Sequence, residues 1–182
     1  MTTLTTLSTP RLTLVPFEQS HLDGLAALNA DIEVMRHISG RAQTRAETIA
    51  FIERVKGQWQ EWGFSWWSFL ENGTGEVIGA GGIQYLERDP RNPLEIAWRL
   101  RPDKWHQGFA GEAAHEMARF AFATLLAHSL CAICRPENVR SAAVMERLGM
   151  RYVGIEHWYA ADMSRFSMSR GDWQQRVDAN GL

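Results

Sequence analysis

Cysteine is scarce in this chain: 182 residues hold two, Cys131 and Cys134, in the stretch "SLCAICRP". The C-x-x-C spacing suggests zinc or redox chemistry, but no second Cys/His pair stands at ligand spacing to complete a metal site. A redox dithiol belongs at a helix N-terminus, which lowers a thiol pKa. This segment reads as a strand, where side chains an odd number apart point to opposite faces. Two packed structural thiols are expected. Long apolar runs are also missing, none approaching the ~18 residues that span a bilayer. The opening "MTTLTTLSTPRL" lacks the basic n-region and apolar core of a signal peptide, so a cytoplasmic location is the default expectation. Nor is there an excess of positive charge: 19 Lys and Arg against 21 Asp and Glu leave a net charge of −2, which argues against a strongly basic nucleic-acid surface. Neither membrane nor nucleic acid is an expected partner.

Two nucleotide-binding signatures are absent as well. Gly79, Gly81 and Gly82 in "VIGAGG" come near G-x-G-x-x-G, but "IQYL" follows and reads as more strand where that motif needs a helix. They are expected to be hairpin or close-packing glycines. The stretch "RPDKWHQGFAGEAAHEM", Arg101 to Met117, sets Gly108, Ala110 and Gly111 between a strand and a helix. A P-loop would continue with Lys and Ser or Thr; Glu112 and Ala113 stand there instead.

What is present is a globular composition, 45% hydrophobic and 22% charged. The length suits one domain, and no repeat or linker divides residues 1–182. "RLTLVPF" reads as a first strand, with Ser20 opening an amphipathic helix continued or restarted through "DIEVMRHI". Thr44 and Glu47 have the spacing of a capping box ahead of a second helical stretch. "GFSWWSFL" and "VIGAGGIQYL" read as a strand pair about the turn "ENGTGE". In "LEIAWRL", Leu94, Ile96, Trp98 and Leu100 share one face, while Glu95 and Arg99 share the other, with Arg101. After the glycine turn, Ala113, Met117, Phe120, Ala121, Thr124 and Leu125 form one helical stripe. A strand, the helix "NVRSAAVMERLG", and closing strands in "RYVGIEHWY" and "RFSMSRGDW" complete a mixed α/β sheet.

The glycine turn has two readings. Small residues there allow close packing of helix on sheet, with nothing bound. Alternatively, N–H groups bared at the helix start receive an anion, aided by the helix dipole.

The segment "LEIAWRLRPDKWHQGFAGEAA" resembles motif A of the GNAT superfamily of N-acetyltransferases, which bind acetyl-coenzyme A. Its Trp-x-x-Gly-x-Ala frame is similar to the ribosomal-protein-alanine acetyltransferase-like (RimJ/RimL-like) branch. "STPRLTLVPF" resembles that branch's opening strand, and "RPENVRSAAVMERLGMRYVG" its motif B, with Asn138, Ser141, Leu148 and Gly149 in register. The resemblance runs from about Thr9 to Trp173. Three departures stand out: Trp105 replaces the superfamily's Gln or Arg, Met150 replaces an aromatic, and Met145 occupies the place where many members carry a proton-donating Tyr.

The resemblance implies a GNAT-like fold, with a central, mostly antiparallel sheet flanked by helices. It implies acetyl-CoA as cosubstrate, no metal, and acetyl transfer by direct attack of a primary amine, from a protein or peptide N-terminus or a small molecule. A homodimer stays open. Backbone groups around Trp98 and Leu100 would meet the pantetheine amides. His106, Gln107, Gly108, Phe109, Ala110 and Gly111 would cradle the pyrophosphate, and Asn138 would reach the pantetheine arm. Arg140 or Arg135 would meet the adenosine phosphates or simply be solvated.

Glu95 is the candidate base or water-positioner; a Glu titrating near the ordinary value of about 4.3 would need water or a raised pKa. The alternative is a solvent-facing Glu95 paired with Arg99. Ser141 is the candidate proton donor to sulfur, or else a first-turn hydroxyl bonded to nearby backbone. Glu112 reads as structural, a carboxylate at a helix N-terminus. His37, Trp59, Trp62, Trp66 and Trp67 are candidates for an acceptor pocket, although Trp66 and Trp67, adjacent on a strand, face opposite ways. A non-catalytic coenzyme A sensor or scaffold is the alternative function, and a redox protein using both cysteines is a third.

Overall fold

A computed structural model describes residues 4–180. A two-residue strand β1 (Leu7–Ser8) leads into β2 (Leu12–Pro16), in which Leu12 and Leu14 are buried and Thr13 and Val15 are not. A 3-10 turn over Gln19–His21 occupies the place where Ser20 was expected to open a helix. Helix α1 (Leu22–Ala30) follows, and Asp31 restarts the chain as α2 (Ile32–Met35), its carboxylate accepting from the Glu33 N–H at 2.8 Å. Helix α3 (Arg45–Trp62) carries the expected capping box. Thr44 Oγ1 accepts from the Glu47 N–H at 3.2 Å and Glu47 Oε2 from the Thr44 N–H at 2.8 Å.

Strands β3 (Trp66–Glu71), β4 (Val77–Tyr85) and β5 (Leu94–Leu100) form an antiparallel meander. Then come α4 (Phe109–Ala123), β6 (Ser129–Cys134), α5 (Val139–Leu148), β7 (Arg151–Trp158), β8 (Ala161–Ser169) and α6 (Arg170–Asn180). The last helix corrects the expectation that "RFSMSRGDW" is all strand. Ser169 and Asp172 form a reciprocal cap: the Asp172 carboxylate accepts from the Ser169 N–H at 3.1 Å and Ser169 Oγ from the Asp172 N–H at 3.1 Å. That satisfies two first-turn donors and starts a helix. Trp173 then stacks on Phe122 of α4 at 5.6 Å, anchoring α6 to the rest of the molecule.

The eight strands lie in the order β1-β2-β3-β4-β5-β6-β8-β7, antiparallel throughout except where β5 meets β6. Trp66 packs on Phe51 of α3 and Trp67 on Phe120 of α4, so α3 and α4 cover opposite faces of the sheet. The glycines of β4 are close-packing residues. A Cβ on Gly81 would lie 2.4 Å from the Phe69 ring and one on Gly82 2.6 Å from that of Trp66. Larger side chains there would push both aromatic layers off the sheet.

The parallel pair is the feature that positions the site. β5 and β6 share one register pair, Glu95 with Cys131. Beyond Glu95 they part, although β5 stays paired to β4 through Leu100. A central strand is thereby left with one edge unpaired, and Ala97 and Trp98 in its middle are only half-buried.

Candidate active site

The gap between β5 and β6 opens into a cavity of about 1240 Å³, lined by β5, the start of α4, the first turns of α5, α2 and α3. That exceeds the usual volume of a single small-molecule pocket, roughly 300–1,000 Å³, and leaves room for two reactants.

One end is made of main chain. Gly108 adopts φ 84° as the N-cap of α4 and supplies no side-chain cap. His106, two residues earlier, is also left-handed at φ 60°. The first bond of the helix runs from the Glu112 N–H to the Gly108 carbonyl at 3.0 Å. The N–H groups of Phe109, Ala110 and Gly111 therefore have no acceptor among the described residues. A Cβ added at Gly111 would meet nothing within 4 Å, so space stands open in front of these donors. Bared N–H groups and the positive end of a 15-residue helix suit an anion such as a diphosphate. Glu112 is structural, as read: it accepts from the Arg11 N–H at 2.9 Å, pairs with Arg11 Nε at 2.7 Å, and accepts from Thr9 Oγ1. These contacts tie the helix start to the β1–β2 turn.

The other end is made of side chains. Glu95 is buried, 5% exposed, and the expectation of a solvent-facing residue paired with Arg99 fails. The face Glu95 and Arg99 share lies under α1 and α3, so polarity on a strand marks the cleft here and not the surface. Glu95 Oε2 accepts from Tyr159 Oη at 2.9 Å and from Gln84 Nε2 at 3.1 Å. Gln84, cross-strand from Glu95 in the β4–β5 register, is itself oriented by the Trp66 indole N–H at 2.9 Å. Tyr159 Oη also accepts from the Glu87 N–H at 2.9 Å. Glu95 Oε1 has no partner among the described residues. Burial pushes the Glu95 carboxyl above its ordinary range, with the bonds from Gln84 and Tyr159 and the charge of Arg88 opposing. Burial and the carboxylate push the Tyr159 phenol up, so it stays a donor.

Tyr159 and Gln84 escaped the sequence reading. Tyr159 sits with Ala160 at the tip of the β7–β8 hairpin, both at positive φ, 51° and 58°. A two-residue turn of this kind is normally announced by Asn-Gly or Gly, and "YA" gives no such signal. The period-2 pairing of "GGIQY" with "LEIAW" could have pointed to Gln84 opposite Glu95.

The remaining candidates sort as follows. Trp98, Leu100, His106, Gly108, Phe109, Ala110, Gly111, Asn138 and Ser141 line the cavity with Glu95. Gln107 does not: its side chain donates to the Asp103 carbonyl at 2.7 Å and its own carbonyl accepts from Arg11 Nη1 at 2.9 Å. Phe109 offers only its main chain, because its ring is buried beneath Arg11. Asn138 caps α5, accepting from the Ser141 N–H at 3.3 Å, which leaves its Nδ2 without a partner among the described residues. Ser141 Oγ likewise makes no bond to nearby backbone. Met145 is buried. Arg140 lines the cavity, its guanidinium 4.8 Å from the Trp105 ring, whereas Arg135 does not line it. Of the acceptor-side candidates, His37 and Trp66 line the cavity. Trp59, Trp62 and Trp67 pack with other aromatic rings away from it. Cys131 and Cys134 are free and buried, and burial pushes their thiols up to about 12 and about 11, away from nucleophilic use.

Comparison with known proteins bears on the whole arrangement. The family model described as an acetyltransferase (GNAT) domain matches residues 11–151. An uncharacterised N-acetyltransferase of Bacillus subtilis, YnaD, is 28% identical over 82% of this chain and 84% of its own length. FsC-acetyl coenzyme A-N(2)-transacetylase of Aspergillus fumigatus is 30% identical over 92% of this chain and 77% of its own length. The crystal structure of an acetyltransferase from Agrobacterium tumefaciens superposes with a TM-score of 0.80 at 26% identity, covering 91% of this chain and 95% of the other.

Proposed function

This chain belongs to the acetyltransferase (GNAT) family and is an acetyl-CoA-dependent N-acetyltransferase, and on that premise we propose that it acetylates a primary amine by direct attack, with Glu95 as the base. The observation that carries this reading is a buried carboxylate with one free oxygen at the vertex where β5 and β6 part. It shares a cavity with the bared N-terminus of α4. The donor set fits acetyl-CoA: uncapped N–H groups before open space suit a diphosphate, and the unpaired edge of β5 suits the amides of an extended arm.

Acetyl-CoA supplies a thioester whose acetyl carbon takes the amine and whose thiol departs. The chain supplies the rest. Phe109, Ala110 and Gly111 hold the diphosphate through main-chain donors, and Trp98 and Leu100 offer backbone groups to the pantetheine arm. Asn138 Nδ2 is free to donate to an arm carbonyl. Glu95 takes a proton from the acceptor's ammonium, directly or through one water, freeing the lone pair that attacks, and its raised pKa brings it closer to that of the amine. Gln84 and Tyr159 are positioning residues that hold the carboxylate by one oxygen and leave the other for the proton. Ser141 Oγ, unbonded in the first turn of α5, is the donor available to the departing sulfur.

The chain is read as a RimJ/RimL-like member, so N-terminal amines stand beside small amines as acceptors. An α-amine titrates at about 7.7–8.0 against ~10.4 for Lys, which asks less of a carboxylate base. Mixing pure protein with acetyl-CoA and a panel of peptides and small amines, and following free thiol, tests the reading. Product with any amine supports transfer. Tight acetyl-CoA binding by calorimetry without product on any acceptor would instead favour a sensor or scaffold, the reading consistent with Met145 in place of a tyrosine.

A further inference from the structure

Beyond Glu95, the cavity wall carries three arginines, one buried (Arg99) and two exposed (Arg54 and Arg88), that form no ion pair among the described residues. Arg99 is 7% exposed and lines the cavity. Its Nε donates to Asn29 Oδ1 at 3.1 Å, and neither terminal nitrogen has a partner among the described residues. The guanidinium lies 5.2 Å from the Phe51 ring and 5.0 Å from that of Trp66. Arg54, its guanidinium 4.8 Å from the same Phe51 ring, and Arg88, in the turn after β4, also line the cavity. Neither forms a hydrogen bond or ion pair among the described residues. Arg88 is held at φ 61°, an unfavourable conformation for a non-glycine residue.

The contrast with the rim is informative. Glu33 and Glu47, which also line the cavity, are spent on Arg36 and Arg41. Among the described residues no carboxylate forms an ion pair with Arg99, Arg54 or Arg88: Glu95 meets Arg88 only through its charge, and Glu137, also on the cavity lining, acts on Cys134. A buried guanidinium without an acid is costly, and here desolvation and the charge of Arg54 pull the Arg99 pKa down to about 10. His37, on the same cavity lining, adds a second orphan, since its buried Nδ1 has no partner among the described residues. Trp66 connects this wall to the base: its ring touches the Arg99 guanidinium and its N–H orients Gln84, which bonds Glu95.

Resting on the transferase reading above, we propose that the acceptor is a small amine carrying an anionic group, carboxylate or phosphate, a short chain away from its nitrogen. The anion seats on the free edge of Arg99, with Arg54 and Arg88 alongside, and the amine reaches Glu95. A planar fork suits either anion bidentately. The same wall repels polycations, so polyamines are poor acceptors.

The experiment uses matched probes: 4-aminobutyrate against 4-aminobutanamide, phosphoethanolamine against ethanolamine, and spermidine as the cationic case. Thiol release gives kcat/KM for each, and calorimetry on the coenzyme A-loaded protein gives affinity without turnover. The expected result is a preference of roughly tenfold or more for the anionic member of at least one pair, which collapses toward unity in Arg99→Gln. Arg88→Gln, in an exposed turn, carries the test if Arg99→Gln fails to fold. The pair that responds separates carboxylate from phosphate. Should no amine be acetylated while the Arg99-dependent preference persists in binding, the anion seat stands and the transfer reading falls. Equal behaviour of charged and neutral partners, a preference for spermidine, or a preference that survives both substitutions overturns the proposal. So does an Arg99→Gln defect that falls on acetyl-CoA affinity instead of the acceptor.

Discussion

The two ends of the cavity are built from different materials. At the start of α4 the functional groups are backbone N–H donors of three consecutive residues, exposed by small side chains and an uncapped turn. At Glu95 they are side chains from four separate places: Trp66 on β3, Gln84 on β4, Glu95 on β5 and Tyr159 at the β7–β8 tip. The first end tolerates a change of side chain as long as space and N–H groups remain. The second depends on each partner, because a buried carboxylate is set by what bonds to it. A backbone site can therefore bind the constant part of a cosubstrate, while a side-chain network tunes one proton.

Substitutions at each end test that contrast, beginning with the largest effect. Glu95→Gln keeps shape and removes the proposed base; kcat/KM should fall about 10²–10⁴-fold, with acetyl-CoA affinity by calorimetry little changed. A loss confined to acetyl-CoA affinity would break the division between the two ends. Next, Gly111→Asp puts a carboxylate among the bared donors where a Cβ has open space. Fold and thermal midpoint should hold while acetyl-CoA binds roughly 10–100-fold more weakly, a like-charge conflict at the proposed anion seat; unchanged affinity would place the diphosphate elsewhere.

The smallest effect is expected for Tyr159→Phe, a few-fold in kcat. Its signature is the pH profile. Tyr159 donates to the ionised form of Glu95, so its bond lowers a carboxyl pKa that burial has raised. Removing it lets that pKa rise further, and the acidic limb of kcat/KM, along which the base is lost by protonation, should move to higher pH. A limb that stays put, or moves to lower pH, would show that Glu95 is not the group titrating.

The same contrast explains what was readable beforehand. The turn from His106 to Gly111 and the capping box of α3 are contiguous; residue type announces the capping box and the small-residue helix start, though it left close packing and an anion seat both open for that start. Glu95 was visible as a carboxylate on an alternating strand, but its burial was not, because alternation cannot say whether the polar face meets water or a helix. Tyr159 lies 64 residues beyond Glu95 and reaches it only through a hairpin whose turn carries no glycine. Arg54, Arg88 and Arg99 come from three elements, and their lack of acid partners appears only once all three and their surroundings are placed.

By itself, then, the amino-acid order determined the strand and helix periods, the mixed α/β class and the small residues at the start of α4, since each follows from residue type, bond geometry and neighbours a few residues apart. Only the tertiary structure decided that β5 and β6 separate past Glu95, that the strand's polar face is buried, that Gln84 and Tyr159 bond Glu95, and that three arginines on the cavity lining have no acid partner among the described residues. Those features depend on which surfaces lose water together and which charges are left without partners when they do, and chain sequence encodes neither locally.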